Sequence, residues 1–136
     1  MPASLVLVDS SVWIQFFRAA QSSEAVALDA LLAAGPVATC APIRTEVVSG
    51  ARTVAQFHRL RTFFAALVQL ELPDDAWVQI EDARFALARR GQQASLVDLL
   101  IAVTAHSHRV DLWTVDEPLK RMASHLHMRL YQPIGA

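Results

Sequence analysis

Cysteine, glycine and charge are all scarce in this sequence, and each shortage excludes a class of protein. Cys40 is the single cysteine among 136 residues, which excludes a disulfide framework and a thiolate zinc cluster. Four glycines and six prolines exclude collagen-like and linker-like chains. Only 18% of the residues are charged and 54% are hydrophobic, so the chain is not disordered. This length and composition predict one domain, covering residues 1–136, with a sizeable buried core.

Long apolar runs are also missing. The longest unbroken runs, residues 63–68 and 99–103, are far shorter than the roughly 18–20 residues of a membrane-spanning helix. The apolar run at residues 5–8 ends at Asp9 and no basic segment precedes it, so no signal peptide is expected. We therefore expect a cytoplasmic protein without membrane association. The apolar excess also predicts a surface that is buried against a partner.

Lysine is nearly absent as well. Eleven of the twelve basic residues are arginine, and the formal net charge is −1. A GC-rich coding sequence explains the preference for arginine, but arginine also suits bidentate phosphate contacts. Residues 44–61 hold four arginines and one acid, whereas residues 71–82 hold five acids and no base. The neutral total therefore combines a locally basic and a locally acidic segment.

Strand-like and helix-like stretches alternate along the chain. The strand-like stretches are residues 5–8, 37–40, 112–115 and 127–131. A long helix is predicted to begin at Thr53 and to carry an apolar stripe from Val54 to Val68. Strands separated by helices predict an α/β fold, a three-layer α/β/α sandwich with a mainly parallel sheet of four to five strands.

Four carboxylates lie where such a sheet would gather them. Asp9 and Asp116 directly follow predicted strands, and Glu46 lies one helical turn past the second strand. Asp98 lies in the first turn of a helix capped by Ser95. Singly, each acid has an ordinary explanation as a helix cap, a charge that complements the helix dipole or a solvated position. Together they come from four segments and can reach one rim, because ligands bind beyond the carboxyl ends of parallel strands.

Such a cluster of carboxylates needs compensating positive charge. Two carboxylates about 6 Å apart repel by roughly 3 kcal/mol at an effective dielectric constant near 20. Protons or divalent cations must offset this repulsion, and oxygen ligands at neutral pH favour Mg²⁺ or Mn²⁺. These ions activate water and hold the oxygens of a phosphodiester during in-line displacement. The pattern predicts metal-dependent phosphodiester hydrolysis, and the candidate catalytic residues and metal ligands are Asp9, Glu46, Asp98 and Asp116.

Four short motifs carry a resemblance to a known family. In chain order they are VDSSVWI (residues 8–14), TEVVSG (45–50), DLLIA (98–102) and TVD (114–116). They resemble the motifs of PIN-domain nucleases and, within these, of the VapC-type toxins of bacterial toxin–antitoxin pairs. The resemblance covers nearly the whole chain. It implies a PIN-like fold and a ribonuclease whose four carboxylates bind Mg²⁺ or Mn²⁺, with Asp9 and Asp98 as direct ligands.

The resemblance also implies roles for neighbouring side chains and for partners. Ser10 or Ser11, together with Thr114, matches hydroxyl positions that orient the carboxylates or bind metal-bound water. It further implies a homodimer and a small cognate antitoxin of the VapB type, which blocks the site with an Arg or Lys. Related toxins cut tRNA, rRNA or mRNA, so the target RNA stays open. Candidate contacts to RNA phosphates are Arg44, Arg59 and Arg61.

One position departs from the family pattern. After Asp116 the family usually has another short residue and then Leu or an aromatic residue two to three positions on. Here the sequence continues as Glu117-Pro118-Leu119. Glu117 is therefore a fifth acid near the predicted site, which could replace or supplement Asp116 as a ligand.

Other interpretations compete with a toxin nuclease. A PIN-type RNA-processing nuclease without an antitoxin would carry the same motifs, as would an inactive PIN-like binding module, although the presence of all four acids argues against the latter. A phospho-accepting receiver domain has a similar length, but it needs a lysine at a later strand end, and Lys120 falls in a predicted helix. Trp13 and Trp77 lie on apolar stripes and are expected in the core or in a dimer contact.

Overall fold

The described part of the chain, residues 4–133, contains one sheet of four parallel strands. The structure is a computed structural model, and the predicted domain ends at residues 1 and 136 lie outside the described residues. The strands are β1 (Val6–Val8), β2 (Val37–Thr39), β3 (Val68–Gln69) and β4 (Asp111–Trp113). They pair in the order β3-β2-β1-β4, with Leu7 of β1 opposite Ala38 on one side and Leu112 on the other.

Seven helices lie within the same range. They are α1 (Ser10–Arg18), α2 (Ser23–Ala34), α3 (Ala41–Ser49), α4 (Val54–Ala65), α5 (Ala76–Arg89), α6 (Leu96–His108) and α7 (Glu117–His125). Five side chains before helix starts accept a hydrogen bond from a first-turn backbone N–H: Asp9, Ser22, Thr53, Ser95 and Asp116. Gly35 ends α2 with φ 104°, a conformation that glycine adopts without strain. None of these helices is long and apolar enough to cross a membrane.

Each helix contacts one or more of its neighbours. α1 contacts α2 and α3, α3 contacts α4 and α6, and α6 contacts α5 and α7. Connections between parallel strands are right-handed in nearly all proteins. The chain moves from β1 to β2 and β3 in one direction and then returns to β4 on the far side of β1. The helices of the first two connections and those that precede β4 therefore cover opposite faces of the sheet, which confirms the predicted α/β/α fold class.

The core lies between the sheet and these helices. All three residues of β1 are buried, and the Trp13 ring packs edge-on against Phe64 with centroids 4.9 Å apart. The indole N–H of Trp13 donates to the Val8 carbonyl at 3.1 Å, so this buried tryptophan leaves no polar atom unpaired. Trp13 is therefore a core residue, as predicted. Trp77 is 56% exposed and is not in the core, so that part of its prediction is wrong.

The predicted end of the long helix, at residues 66–68, is also wrong. α4 ends at Ala65, in a last turn tightened by i→i+3 hydrogen bonds, and β3 then pairs with β2. The prediction is wrong because the apolar residues 67 and 68 continue the helical spacing of α4. A strand of two residues is too short to show the alternation of apolar and polar residues that marks a strand. Val54 and Val68, at the two ends of the predicted stripe, are both exposed.

Two of the predicted strands differ from the structure by more than one residue. β4 ends at Trp113 rather than at residue 115, because the Thr114 hydroxyl and the Val115 N–H bond to side chains that follow β1. The predicted last strand, residues 127–131, is reduced to a single parallel bridge between Leu130 and Leu112. His127 has φ 55°, which is incompatible with an extended strand.

Candidate active site

Two of the predicted acids lie where the sheet changes the direction of its connections. Asp9 directly follows β1, and Asp116 lies three residues after β4, the neighbouring strand. The chain leaves β1 toward β2, whereas β4 lies on the opposite side of β1. This is the topological switch point, at which open α/β sheets bind their ligands. The Asp9 N–H also donates to the Trp113 carbonyl at 2.8 Å, which joins the two strand ends.

The Asp9 carboxylate has one oxygen held by the protein and one that is not. The side chain is only 4% exposed. Its Oδ2 accepts hydrogen bonds from the Ser11 hydroxyl at 2.6 Å, the Thr114 hydroxyl at 2.9 Å and the Ser11 N–H at 3.3 Å. Three donors on one oxygen fix the orientation of the carboxylate. Among residues 4–133, no group donates a hydrogen bond to Oδ1, so that oxygen can bind a ligand.

The same two hydroxyls determine the position of Asp116. The Val115 N–H donates to the Ser11 hydroxyl at 3.1 Å, and the Asp116 N–H donates to the Thr114 hydroxyl at 3.0 Å. Each hydroxyl donates its one hydrogen bond to Asp9, so it can only accept a hydrogen bond from these backbone N–H groups. Asp116 then caps α7, since its Oδ2 accepts from the Leu119 N–H at 3.1 Å. Ser11 and Thr114 therefore link Asp9 with the segment that carries Asp116.

Glu46 reaches the site from α3 and is tied to α1. The nearly buried Ser10 hydroxyl donates to Glu46 Oε1 at 3.0 Å. Glu46 itself is exposed and also lines a groove between α1, α3 and α4. Its carboxylate is thus anchored at one oxygen at the edge of the site.

Asp98 enters from the first turn of α6 with fewer protein contacts. Its N–H donates to the Ser95 hydroxyl at 3.1 Å, which caps the helix. Burial raises the pKa of the Asp98 carboxyl above its usual range, and the negative charges of Asp116, Asp9 and Glu46 raise it further against a hydrogen bond from Ser95. All four predicted acids are therefore close enough to influence one another.

The Cys40 thiol lies between the acids and a basic side chain. Burial raises its pKa to about 11, and the charges of Asp9 and Glu46 add to this effect while Arg44 opposes it. Cys40 precedes α3 directly, so the end of β2 is within electrostatic reach of both acids and of Arg44. The thiol itself stays protonated and unreactive at neutral pH.

The donor set fits a hydrated divalent cation. Within residues 4–133, no three His, Cys, Asp or Glu side chains converge closely enough to chelate one ion. Mg²⁺ does not need such a cage, because it keeps several waters and binds proteins through one or two carboxylates. The free Oδ1 of Asp9 and the partly buried Asp98 supply two carboxylates of this kind. Asp116 and Glu46 would then act on the bound waters.

Comparison with known proteins identifies the family. A model of the PIN domain matches residues 6–124. The chain belongs to the PIN domain family. Ribonuclease VapC11 of Mycobacterium tuberculosis (strain ATCC 25618 / H37Rv) and a VapC ribonuclease of Mycobacterium bovis are each 32% identical to this PIN domain over 108 residues. Each match covers 76% of this chain and 81% of the relative.

Solved structures of PIN-domain toxins share the fold. VapBC2 from Rickettsia felis, bound to a DNA fragment from its promoter, matches with a TM-score of 0.74 at 18% identity, covering 93% of this chain and 97% of that chain. VapC20 of Mycobacterium tuberculosis, described as a sarcin–ricin loop cleaving toxin, matches with a TM-score of 0.64 at 17% identity, covering 94% of this chain and 99% of that chain. These structures share the fold, and the family match with the relatives in sequence confirms the predicted PIN-domain endoribonuclease of the VapC class, a class of metal-dependent enzymes.

The remaining predicted site residues are not all close to the carboxylates. The Glu117 side chain is 69% exposed and forms an ion pair with Lys120 at 3.7 Å on the first turn of α7. Arg44 and Arg61 line one small pocket between α3 and α4. Arg59 is exposed on α4 and is not among the residues that line that pocket.

Proposed function

We propose that this PIN domain hydrolyses RNA phosphodiester bonds with a hydrated Mg²⁺ or Mn²⁺ held by Asp9, Glu46, Asp98 and Asp116. The observation that supports it most strongly is the Asp9 carboxylate at the switch point, with one oxygen fixed by three donors and the other free. A carboxylate that is held in one orientation and has one oxygen free is suited to bind a hard cation.

Some residues of the site bind the metal ion, and others orient those residues. Asp9 and Asp98 would hold the ion directly, and Asp116 and Glu46 would accept hydrogen bonds from its waters. When bound, a divalent ion activates water and stabilises the charge that develops on the phosphodiester oxygens. Ser11 and Thr114 hold the Asp9 carboxylate in its orientation, and Ser10 orients Glu46.

The test is a cleavage assay with the full chain and a panel of tRNA, rRNA and mRNA fragments. We expect cleavage with Mn²⁺ or Mg²⁺ and none in excess EDTA. Activity that survives EDTA would contradict the metal mechanism. The panel also identifies the RNA class, which the fold does not determine.

We further propose that the chain is the toxin of a toxin–antitoxin pair. A toxin–antitoxin complex from Klebsiella pneumoniae shares the fold, with a TM-score of 0.59 at 25% identity, covering 82% of this chain and 86% of that chain. In this chain, a groove of about 380 Å³ runs beside Glu46, with exposed Ile14 and Phe17 on one wall and Arg18 and Arg52 at its edge. An amphipathic helix suits such a groove, and a cationic side chain on it would reach the carboxylates. Co-purification with a small protein encoded directly upstream is the expected result, and the absence of such a gene favours an RNA-processing nuclease.

Two further predictions follow from this proposal. A toxin that cleaves cellular RNA acts in the cytoplasm, so we place its activity there. The homodimer also stays a prediction, and sedimentation of the purified chain measures it directly.

A further inference from the structure

The small pocket between α3 and α4 is lined by two arginines. It has a volume of about 180 Å³, and its lining residues are Arg44, Thr45, Val48, Ser49, Phe57 and Arg61. This volume is below the roughly 300–1,000 Å³ of pockets that hold drug-sized molecules, so the pocket suits one small group. Guanidinium groups and hydroxyls are among the side chains that contact phosphate oxygens in nucleic-acid complexes.

Arg44 is held in place by a residue of β3. The side-chain amide nitrogen of Gln69 donates to the carbonyls of Phe64 at 2.8 Å and Leu67 at 2.9 Å. Because both partners are acceptors, Gln69 can offer Arg44 only its oxygen, and Arg44 Nη1 donates to that oxygen. Gln69 is neutral, so it orients the guanidinium without cancelling its charge. The other N–H donors of Arg44 stay available.

Arg61 is oriented by a different contact. Its guanidinium lies 4.4 Å from the centroid of the Phe57 ring, one helical turn earlier on α4. Across the described range 4–133, the ion pairs are Lys120–Glu117 and Arg129–Asp111. Neither arginine of the pocket is therefore neutralised by a carboxylate there. Two oriented, uncompensated guanidinium groups form a receptor for an external anion.

The pocket is close to the carboxylates. Arg44 and Glu46 are two residues apart on α3, and a helix with its side chains is only about 10–12 Å across. A strand of RNA carries a phosphate at every nucleotide. A strand with one phosphodiester at the acidic site therefore has another phosphate within reach of this flank of α3.

We propose that the pocket formed by Arg44, Thr45, Ser49 and Arg61 binds a backbone phosphate of the RNA substrate next to the cleavage site. This inference rests on the proposed ribonuclease function, because it is the acidic site that brings RNA to α3. An acidic peptide offers carboxylates to the same donors, but nothing in the acidic site attracts such a peptide. The pocket contacts a phosphate and no base, so its contribution to affinity does not depend on the RNA sequence.

The test measures binding separately from cleavage. A labelled single-stranded RNA oligonucleotide is titrated with the full chain in EDTA, over a series of salt concentrations. The variants are Arg44→Gln, Arg61→Gln and the double variant, and the matched control is Arg89→Gln, because Arg89 also lies over a phenylalanine, Phe85, but on α5. We expect the double variant to bind about tenfold more weakly for every RNA sequence, with the salt slope reduced by about 0.7 for each lost contact. The control should bind as the wild type does.

Three results would overturn the proposal. The double variant could bind RNA with wild-type affinity and salt slope, or Arg89→Gln could weaken binding equally, which would indicate a general charge effect. A double variant that keeps RNA binding but no longer binds the purified antitoxin would assign the pocket to the protein partner. Failure of the proposed function is a separate result, since it appears as a wild-type chain that binds RNA but does not cleave it with Mn²⁺.

Discussion

Asp9 at the end of β1 and Asp98 at the start of α6 are both candidate metal ligands, yet their surroundings differ. Three protein donors converge on one oxygen of Asp9. Asp98 is partly buried, and the three neighbouring carboxylates act against its ionisation. The protein thus fixes the Asp9 carboxylate with three hydrogen bonds of its own, whereas a single hydrogen bond, with Ser95, acts against the burial and like charges that raise the pKa of Asp98. The two halves of the site should respond differently to mutation, pH and metal.

The largest effect is expected from Asp9→Asn. Asparagine can keep its oxygen toward Ser11 and Thr114, so the fold should survive, but it presents an uncharged amide where the free Oδ1 stood. Cleavage should fall on the order of 10³-fold, because metal catalysis supplies several kcal/mol. Single-turnover rates with Mn²⁺ measure this, and the circular dichroism spectrum is the control. A decrease in the cleavage rate of less than tenfold would show that Asp9 is not a metal ligand.

Asp98→Asn should separate activity from stability. Cleavage should fall about 100-fold for loss of the second ligand. The folded-state pKa of Asp98 is raised, so ionisation costs the folded state stability as pH rises through the unfolded pKa and then the folded pKa. At neutral pH without metal, the variant should therefore melt higher than the wild type, by about 3 °C at most, since exposure screens the repulsion.

The pH series makes this prediction sharper. The gain in Tm should shrink as the pH falls through the raised pKa and vanish below 3.8, where Asp98 becomes protonated in both states and its pKa no longer matters. Added Mg²⁺ should raise the Tm of the wild type more than that of the variant. A variant that melts lower than the wild type without metal would show that Asp98 is stabilised by the protein, as Asp9 is.

The difference between these residues also shows what a sequence reveals about a site. Asp9 and Asp116 could be predicted because each follows a strand, and Asp98 because Ser95 marks a helix start. The bonds from Thr114 and Ser11 could not be derived from spacing, since the two residues are 103 positions apart and meet only because β4 pairs with β1. Likewise, the contact between Gln69 and Arg44 could not be predicted, because β3 has only two residues and its sequence continues the helical pattern.

A smaller effect is expected when the support of Asp9 is weakened. Thr114→Val keeps the shape but removes the hydroxyl that donates to Asp9 and accepts from the Asp116 N–H. Loss of such a supporting contact typically costs 10–100-fold, so cleavage should fall by about that factor. Thr114→Ser is the matched control, because it restores the hydroxyl and should recover most of the rate. Equal rates for the valine and serine variants would show that the hydroxyl does not position Asp9.

The smallest effect is expected from Glu117→Gln, which tests whether the fifth acid belongs to the site. Glu117 is mostly exposed and pairs with Lys120, and exposed ion pairs of this kind contribute about 0–1 kcal/mol. Cleavage and its Mg²⁺ dependence should stay within about twofold of the wild type, because an exposed Glu117 does not bind the metal ion. A tenfold loss, with a higher Mg²⁺ requirement, would instead place Glu117 beside Asp116 as a ligand. It would then behave like Asp98, as a carboxylate whose charge the cation stabilises.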